Sequence, residues 1–128
     1  MKATGAPWAD RIKDLRVLVV EDDTLVSLFV ESLFESVGVG HGVQLAQSLD
    51  TGQWLAESGE FDVALLDVYL GGEPSFTVAR TLQQRGIPFA FASGYAGGEV
   101  EAAFPGVPLI SKPFKAAELE AVLRALLS

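Results

Sequence analysis

The stretch Arg16-Val-Leu-Val-Val-Glu-Asp-Asp, residues 16–23, places four aliphatic residues directly before three carboxylates. A continuous apolar run of this length, rich in valine, predicts a strand that is buried on both faces. Strands of this kind belong to parallel sheets that carry helices on both sides. The stretch therefore predicts an α/β fold in which acidic side chains follow a buried strand.

The rest of the chain alternates apolar runs of strand length with segments of helical period. We predict strands over five segments: 16–20, 43–46, 63–66, 89–92 and 109–111. Their continuous apolar character predicts burial on both faces for all five. Apolar residues recur at helical spacing from Val26 to Val37, and Gly38 ends that helix. We predict further helices over 49–57 with Ser48 as N-cap, over 75–85 after Pro74, over 99–104, and over the leucine-rich segment 119–127. Five βα units predict one three-layer domain with a parallel sheet.

Composition narrows the class of protein. The chain has 128 residues, 17 of them acidic and 9 Lys or Arg, for a net charge of −8, and it has no cysteine. This length fits one domain, and we assign residues 1–14 to an N-terminal tail and 15–128 to the domain. Acidity argues against direct binding of nucleic acid. No apolar run approaches the roughly 20 residues that cross a bilayer, and the absence of cysteine fits the cytoplasm, where we expect the protein.

Polar side chains follow four of the five predicted strands: Glu21-Asp22-Asp23, Asp67, Ser93 and Lys112. The carboxyl ends of parallel strands share one edge of the sheet, where ligands of such folds bind. Carboxylates that converge there repel one another unless a cation joins them, and oxygen ligands suit Mg²⁺. Lys112 and the Ser93 hydroxyl are groups that can hold a phosphoryl group. A carboxylate beside Mg²⁺ and lysine can itself attack phosphorus, so this edge is a candidate phosphoryl site.

Four motifs resemble the receiver domain of bacterial two-component response regulators: Val-Val-Glu-Asp-Asp at 19–23, Leu-Leu-Asp-Val at 65–68, Ala-Ser-Gly-Tyr at 92–95 and Ser-Lys-Pro-Phe at 111–114. The resemblance covers about residues 16–127. It implies a flavodoxin-like (βα)5 fold with strand order 2-1-3-4-5. It also implies that Asp67 accepts a phosphoryl group from a phosphohistidine. Mg²⁺ or Mn²⁺ would be held by Glu21, Asp22, Asp67 and the backbone carbonyl of Tyr69.

The resemblance also assigns the residues around the phosphoryl group. Ser93 would bond a phosphoryl oxygen and move inward on activation, and Lys112 would pair with the phosphoryl charge, with a cis peptide bond to Pro113. Leu109 stands where the family has an aromatic switch residue, so the usual aromatic rotation is not expected. Tyr95 would cover the site instead, and together with the tyrosine at position 69 it predicts a shielded, slowly hydrolysed aspartyl phosphate.

Residues 89–95, Phe-Ala-Phe-Ala-Ser-Gly-Tyr, are similar to the Phe-Ala-Thr-Gly signature of a receiver subgroup common in alphaproteobacteria, with Ser93 in place of the usual threonine. We expect a stand-alone receiver that acts in two-component signalling or a phosphorelay without its own output domain. Its expected partners are a histidine kinase or a histidine phosphotransferase that docks beside the helix after the first strand. We expect a monomer or weak dimer that is not an enzyme beyond its own phosphorylation and dephosphorylation.

Other interpretations remain open from the sequence. Asp23 can be a helix N-terminal acid rather than part of the site. A phosphatase that uses an aspartyl phosphate usually needs a second acid two positions after the nucleophile, where Tyr69 stands, and this counts against that class. A receiver-like module that binds proteins without being phosphorylated is the main alternative.

Overall fold

The computed structural model describes residues 7–94 and 98–128. In these ranges the helices are α1 (Trp8–Ile12), α2 (Thr24–Ser36), α3 (Leu49–Ser58), α4 (Phe76–Arg85), α5 (Gly98–Ala103) and α6 (Ala116–Leu127). The strands are β1 (Val17–Val20), β2 (Val43–Ala46), β3 (Val63–Asp67), β4 (Tyr69–Leu70), β5 (Glu73–Pro74), β6 (Phe89–Ser93) and β7 (Leu109–Ser111). None of the helices in the described ranges is both long and apolar enough to cross a membrane.

The main sheet is parallel and has five strands in the order β2-β1-β3-β6-β7. This is the predicted order 2-1-3-4-5, because β4 and β5 belong to a separate hairpin, and the flavodoxin-like architecture is confirmed. The register places Asp67 of β3 beside Ala92 of β6, and Ser93 beside Ser111 of β7. The polar residues that follow these strands therefore meet at one edge of the sheet.

Burial of the strands depends on their place in the sheet. All four residues of β1 are buried, as the continuous apolar run predicts. Full burial on both faces was also expected for β2 and β7, and this expectation is wrong. Both are edge strands, and in β7 only Ile110 is buried between exposed Leu109 and Ser111. An edge strand has helices over less of its surface, so alternate side chains reach solvent.

Two hydrophobic clusters lie on opposite faces of the sheet, since alternate residues of a strand point to opposite sides. One packs against α3, α4 and α5 and contains Phe89, Phe91 and Phe104, with Phe76 packed against it. Five ring pairs among these four phenylalanines have centroids 5.2 to 6.1 Å apart. The other is largely aliphatic and packs against α1, α2 and α6. These clusters hold the central strands rigid, which fixes where the residues after the strands are placed.

The predicted helices all form, with small differences at their ends. Ser48 caps α3 as expected, since its Oγ accepts a hydrogen bond from the Thr51 N–H at 3.1 Å. At the start of α6, Lys115 provides no side-chain cap. The Glu118 carboxylate instead accepts a hydrogen bond from the Lys115 N–H at 2.9 Å.

Residues 8–12, which we assigned to the N-terminal tail, form helix α1 and pack on the domain. Ile12 is 1% exposed and belongs to the aliphatic cluster. The Arg124 guanidinium lies 4.2 Å from the centroid of the Trp8 ring, and Arg11 donates a hydrogen bond from Nη2 to the Leu127 carbonyl at 2.8 Å. The core thus extends beyond the boundary that we placed at residue 15.

The β4–β5 hairpin follows the third strand of the main sheet and was not predicted. Its strands pair antiparallel, with Tyr69 opposite Pro74 and Leu70 opposite Glu73. The turn is Gly71-Gly72, with φ angles of +59° and +84° that favour glycine. A glycine pair between two short extended segments is typical of a two-residue hairpin, so the signal was present in the sequence.

Candidate functional site

The carboxyl ends of β1, β3 and β7 bring three acidic side chains and one lysine together. Glu21 follows β1 and its N–H donates to the Ala46 carbonyl at 2.9 Å, while the Lys112 N–H after β7 donates to the Ser93 carbonyl at 2.8 Å. These bonds continue the ladder of the sheet past the strand ends. Because the backbone is fixed there, the side chains that follow the strands have defined positions.

Glu21, Asp22 and Asp67 form a carboxylate cluster. Each offers one carboxylate oxygen, and these oxygens all lie within 4.8 Å of one another. Glu21 is buried, with 5% of its surface exposed, and Asp67 is partly buried. A set of hard oxygen donors at this spacing fits a divalent cation such as Mg²⁺.

Lys112 is the cation that contacts this cluster. Its Nζ lies 2.9 Å from Glu21 Oε1 and 3.2 Å from Asp67 Oδ1. Burial lowers the pKa of Lys112, but the hydrogen bond to Glu21 and the charge of Asp67 outweigh burial, so this pKa is raised above its ordinary value. Lys112 is therefore protonated at neutral pH and holds both carboxylates.

The single lysine does not balance the charge around Asp67. Burial, the charge of Glu21 and the weaker influence of Asp22 raise the pKa of Asp67 to about 6, although contact with Lys112 opposes the shift. The Asp67 carboxylate is still ionised at neutral pH, but its ionised form is less favourable in this site than in water. A bound divalent cation would relieve this repulsion, which is a second reason why the donor set fits a metal.

The two aspartates after β1 have different partners. Asp22 Oδ2 accepts a hydrogen bond from the Gly71 N–H of the hairpin at 3.0 Å. Asp23 Oδ1 accepts one from the Val26 N–H at 3.0 Å and caps α2. The open alternative for Asp23 is thus resolved in favour of a helix cap, whereas Asp22 remains in the cluster.

The other predicted site residues lie around this cluster. Ser93 ends β6 and is 5% exposed. The peptide bond between Lys112 and Pro113 is cis, in agreement with the resemblance. Leu109 is 37% exposed at the start of β7, so an aliphatic side chain occupies the position of the family's aromatic residue. Tyr95, expected to cover the site, lies outside the described residues.

Two residues near the site were missed from the sequence. Ser75 is fully buried, and its Oγ donates a hydrogen bond to the Asp67 carbonyl at 2.6 Å. Glu99 of α5 accepts a hydrogen bond from the Tyr69 hydroxyl. Both contacts cross between elements, and no local sequence pattern signals them.

Two of three comparisons with known proteins find similar chains. A scan against models of protein families gives no match. The solution structure of SdrG from Sphingomonas melonis Fr1 is 33% identical, with a TM-score of 0.77, and the match covers 91% of this chain and 98% of SdrG. The receiver domain of the sensor histidine kinase PA1611 from Pseudomonas aeruginosa PAO1 is 23% identical, with a TM-score of 0.76, covering 89% of this chain and 98% of that domain. That structure holds a magnesium ion in its active-site cleft.

The chain belongs to the response regulator receiver family. Other matched structures are also described as response regulator receivers. The transcriptional regulatory protein TcrA of Mycobacterium tuberculosis is 30% identical in an alignment of 122 residues that covers 91% of this receiver and 47% of TcrA. The receiver thus spans about half the length of the curated relative that it matches.

Proposed function

We propose that this receiver accepts a phosphoryl group on Asp67 from a phosphohistidine, with Mg²⁺ or Mn²⁺ as cofactor, in two-component signalling or a phosphorelay. The observation that carries the proposal is the contact of Asp67 with Lys112 inside a cluster of three carboxylates. A carboxylate that is ionised yet poorly neutralised is well suited to attack an electrophile.

In the proposed reaction an Asp67 carboxylate oxygen attacks phosphorus and forms an acyl phosphate. The bond between phosphorus and the histidine nitrogen breaks, and its electron pair stays on the imidazole. Lys112, 3.2 Å from Asp67, is placed to pair with the charge on the phosphoryl oxygens, and the Ser93 hydroxyl would donate a hydrogen bond to one of them. In dephosphorylation a water molecule would attack phosphorus, the bond between phosphorus and the Asp67 oxygen would break, and inorganic phosphate would leave while the Asp67 carboxylate is restored. The receiver would thus catalyse its own phosphorylation and dephosphorylation and no reaction of other substrates.

The residues that would hold Mg²⁺ are Glu21, Asp22, Asp67 and the backbone carbonyl of Tyr69. The ion would neutralise charge on the phosphoryl oxygens, as metal ions do in phosphoryl transfer. The carboxylate spacing, the raised pKa of Asp67 and the magnesium ion in the PA1611 receiver domain support this assignment.

The exposed face of α2 is the proposed docking surface for the phosphodonor. Leu25 is 79% exposed, and Leu28 and Phe29 are each 49% exposed. Beside them lies a groove of about 300 Å³ with these lining residues: Val26, Phe29, Val30, Lys112, Pro113 and Phe114. Because the groove reaches Lys112, a helical donor seated there would bring its histidine near Asp67. We therefore propose a histidine kinase or histidine phosphotransferase as partner, in the cytoplasm.

The proposed phosphorylation is tested with the purified receiver, a small phosphodonor and MgCl₂, followed by intact-mass measurement. We expect the addition of one phosphoryl group, its loss in Asp67→Asn, and its loss when EDTA replaces MgCl₂. Asp62→Asn is the matched control, since this carboxylate precedes the same strand at its opposite end, and it should be phosphorylated normally.

A negative result with the small donor is followed by the same assay with phosphorylated histidine kinases. If none of these donors modifies Asp67, the proposal is wrong, and the exposed face of α2 favours the alternative of a module that binds proteins without phosphorylation. A phosphoryl group that persists on Asp67→Asn would likewise contradict the assignment.

A further inference from the structure

We propose that Tyr69 and Glu99 are positioning residues that hold the β4–β5 hairpin in place and, through it, orient two ligands for the cation. The inference rests on the proposed function, because it concerns the same magnesium site. The two ligands are Asp22 and the backbone carbonyl of Tyr69. For this effect, neither the Tyr69 hydroxyl nor the Glu99 carboxylate needs to touch the cation.

The tip of the hairpin orients Asp22. The Gly71 N–H donates to Asp22 Oδ2 at 3.0 Å, across 49 positions in the chain. The direction of this N–H is set by the tight turn, in which Gly71 and Gly72 both have positive φ. A fixed N–H that donates to a carboxylate ligand holds that ligand in one rotamer, and such hydrogen bonds strengthen metal binding.

The base of the hairpin is well anchored. The Ser75 N–H donates to the Val68 carbonyl at 2.8 Å, and its Oγ donates to the Asp67 carbonyl at 2.6 Å. Leu70 is 3% exposed and belongs to the cluster that contains the phenylalanines. The Ser75 contacts fix the base of the hairpin, and Leu70 fixes the buried face of the strand just before the turn.

Tyr69 holds the exposed face of the hairpin, opposite to the face that buries Leu70. Its hydroxyl donates to the Glu99 carboxylate of α5, 30 positions further along the chain. A hairpin with only two residues in each strand is marginal on its own, so a contact to a neighbouring element contributes strongly to its order. Because Tyr69 carries both this hydroxyl and the proposed carbonyl ligand, fixing its side chain also fixes the ligand.

The test compares Mg²⁺ affinity and amide exchange in single variants. Tyr69→Phe removes only the hydroxyl, Glu99→Ala removes the acceptor, and Glu99→Gln keeps an acceptor without the charge. We expect Mg²⁺ alone, titrated by calorimetry, to bind Tyr69→Phe and Glu99→Ala about 3- to 10-fold more weakly than wild type. The double variant should be no weaker than either single variant. Glu99→Gln should retain most of the affinity.

Hydrogen exchange of the Gly71 amide in the metal-free protein is the second readout. It should be about 3- to 10-fold faster in Tyr69→Phe and Glu99→Ala, because the hairpin tip leaves Asp22 more often. Glu101→Ala is the matched control, since it removes an exposed carboxylate from the same helix, and it should change neither measurement.

The outcomes separate the inference from the proposed function. If wild type binds Mg²⁺ and Tyr69→Phe shows the same Mg²⁺ affinity and the same exchange rate of the Gly71 amide, the inference is overturned and the proposed function is not. Weak binding by Glu99→Gln together with normal binding by Tyr69→Phe also overturns it, since charge would then explain the effect. A wild-type protein that does not bind Mg²⁺ overturns the proposed function and the inference with it.

Discussion

Strands β1 and β3 lie side by side, and the charged side chains at their amino ends and at their carboxyl ends are balanced to different degrees. At the amino end, Arg16 and Asp62 form a pair, with Arg16 Nη2 3.2 Å from Asp62 Oδ1 and the Arg16 N–H donating to Oδ2 at 2.9 Å. At the carboxyl end, Glu21 and Asp67 share Lys112. One end is balanced, and the other has more carboxylates than cations.

The pKa values of the two aspartates follow this difference. Burial would raise the pKa of Asp62, but the hydrogen bonds and charge of Arg16 outweigh it, and the pKa is lowered. The pKa of Asp67 is raised to about 6 by burial and by Glu21. The same pair of strands therefore supports one carboxylate that contributes to stability and one whose ionisation opposes it. The proposed phosphoryl acceptor, Asp67, is the carboxylate whose ionisation opposes stability.

The largest effect should come from removing the shared cation. In Lys112→Met, Glu21 and Asp67 lose their partner, so we expect the free energy of unfolding without metal to fall by about 2 kcal/mol. Phosphorylation by a small donor should slow on the order of 100-fold. Urea unfolding and intact-mass kinetics measure both. Lys115→Met, at an exposed position three residues later, is the control. An unchanged free energy of unfolding in Lys112→Met would show that the two ends of β1 and β3 do not differ in how much they depend on a cation.

A smaller effect, of opposite sign, is expected for Asp67→Asn in the metal-free protein. The pKa of Asp67 in the folded protein lies above the ordinary value of 3.8, so ionisation of Asp67 destabilises the fold. This loss of stability begins above pH 3.8 and is complete above about pH 6. We expect the variant to be more stable than wild type by about 1 kcal/mol near pH 7.5, a value reduced for partial solvent screening. The gain should vanish below about pH 4.

Urea unfolding of Asp67→Asn and wild type across this pH range measures the predicted gain. Added Mg²⁺ should reverse the order of stability near neutral pH, since it binds the ionised wild-type site more tightly. An advantage of Asp67→Asn that is the same at every pH would contradict the assignment of the effect to this titration.

The smallest effect is expected at the balanced end. Asp62→Ala breaks an exposed pair, and we expect the melting temperature at neutral pH to fall by only about 2 °C. Because the folded pKa of Asp62 is lowered, its contribution is present above the ordinary value of 3.8 and is lost as the pH falls through the folded pKa. Phosphorylation should be unaffected. A loss larger than that in Lys112→Met would reverse the comparison.

The fold could be predicted from the sequence because burial leaves a periodic signal. The central strands are continuous apolar runs, and the apolar residues of α2 and α6 recur at helical spacing. The strand order and the roles of the site residues came from the resemblance to receivers, since strand order is set by contacts distant in sequence. The cluster of Glu21, Asp22 and Asp67 followed from two strand ends at one edge, those of β1 and β3.

Other features required the three-dimensional structure. Helix α1 has only five residues, which is too short for a periodic signal, and its anchor Ile12 is visible only through the core that it joins. Asp23 and Asp22 are neighbours of equal chemistry, and only their partners show that one caps α2 and the other belongs to the site. The bond between Tyr69 and Glu99 joins two elements through side chains, and no spacing predicts it.

The contact between α1 and α6 has a consequence for the order of folding. The hydrogen bond from Arg11 to the Leu127 carbonyl joins residues 116 positions apart. The entropy lost on closing a loop grows with its length, so contacts between near neighbours form at lower cost. We therefore expect α1 to dock late, onto an assembled sheet, and to be among the first segments to detach when the protein begins to unfold.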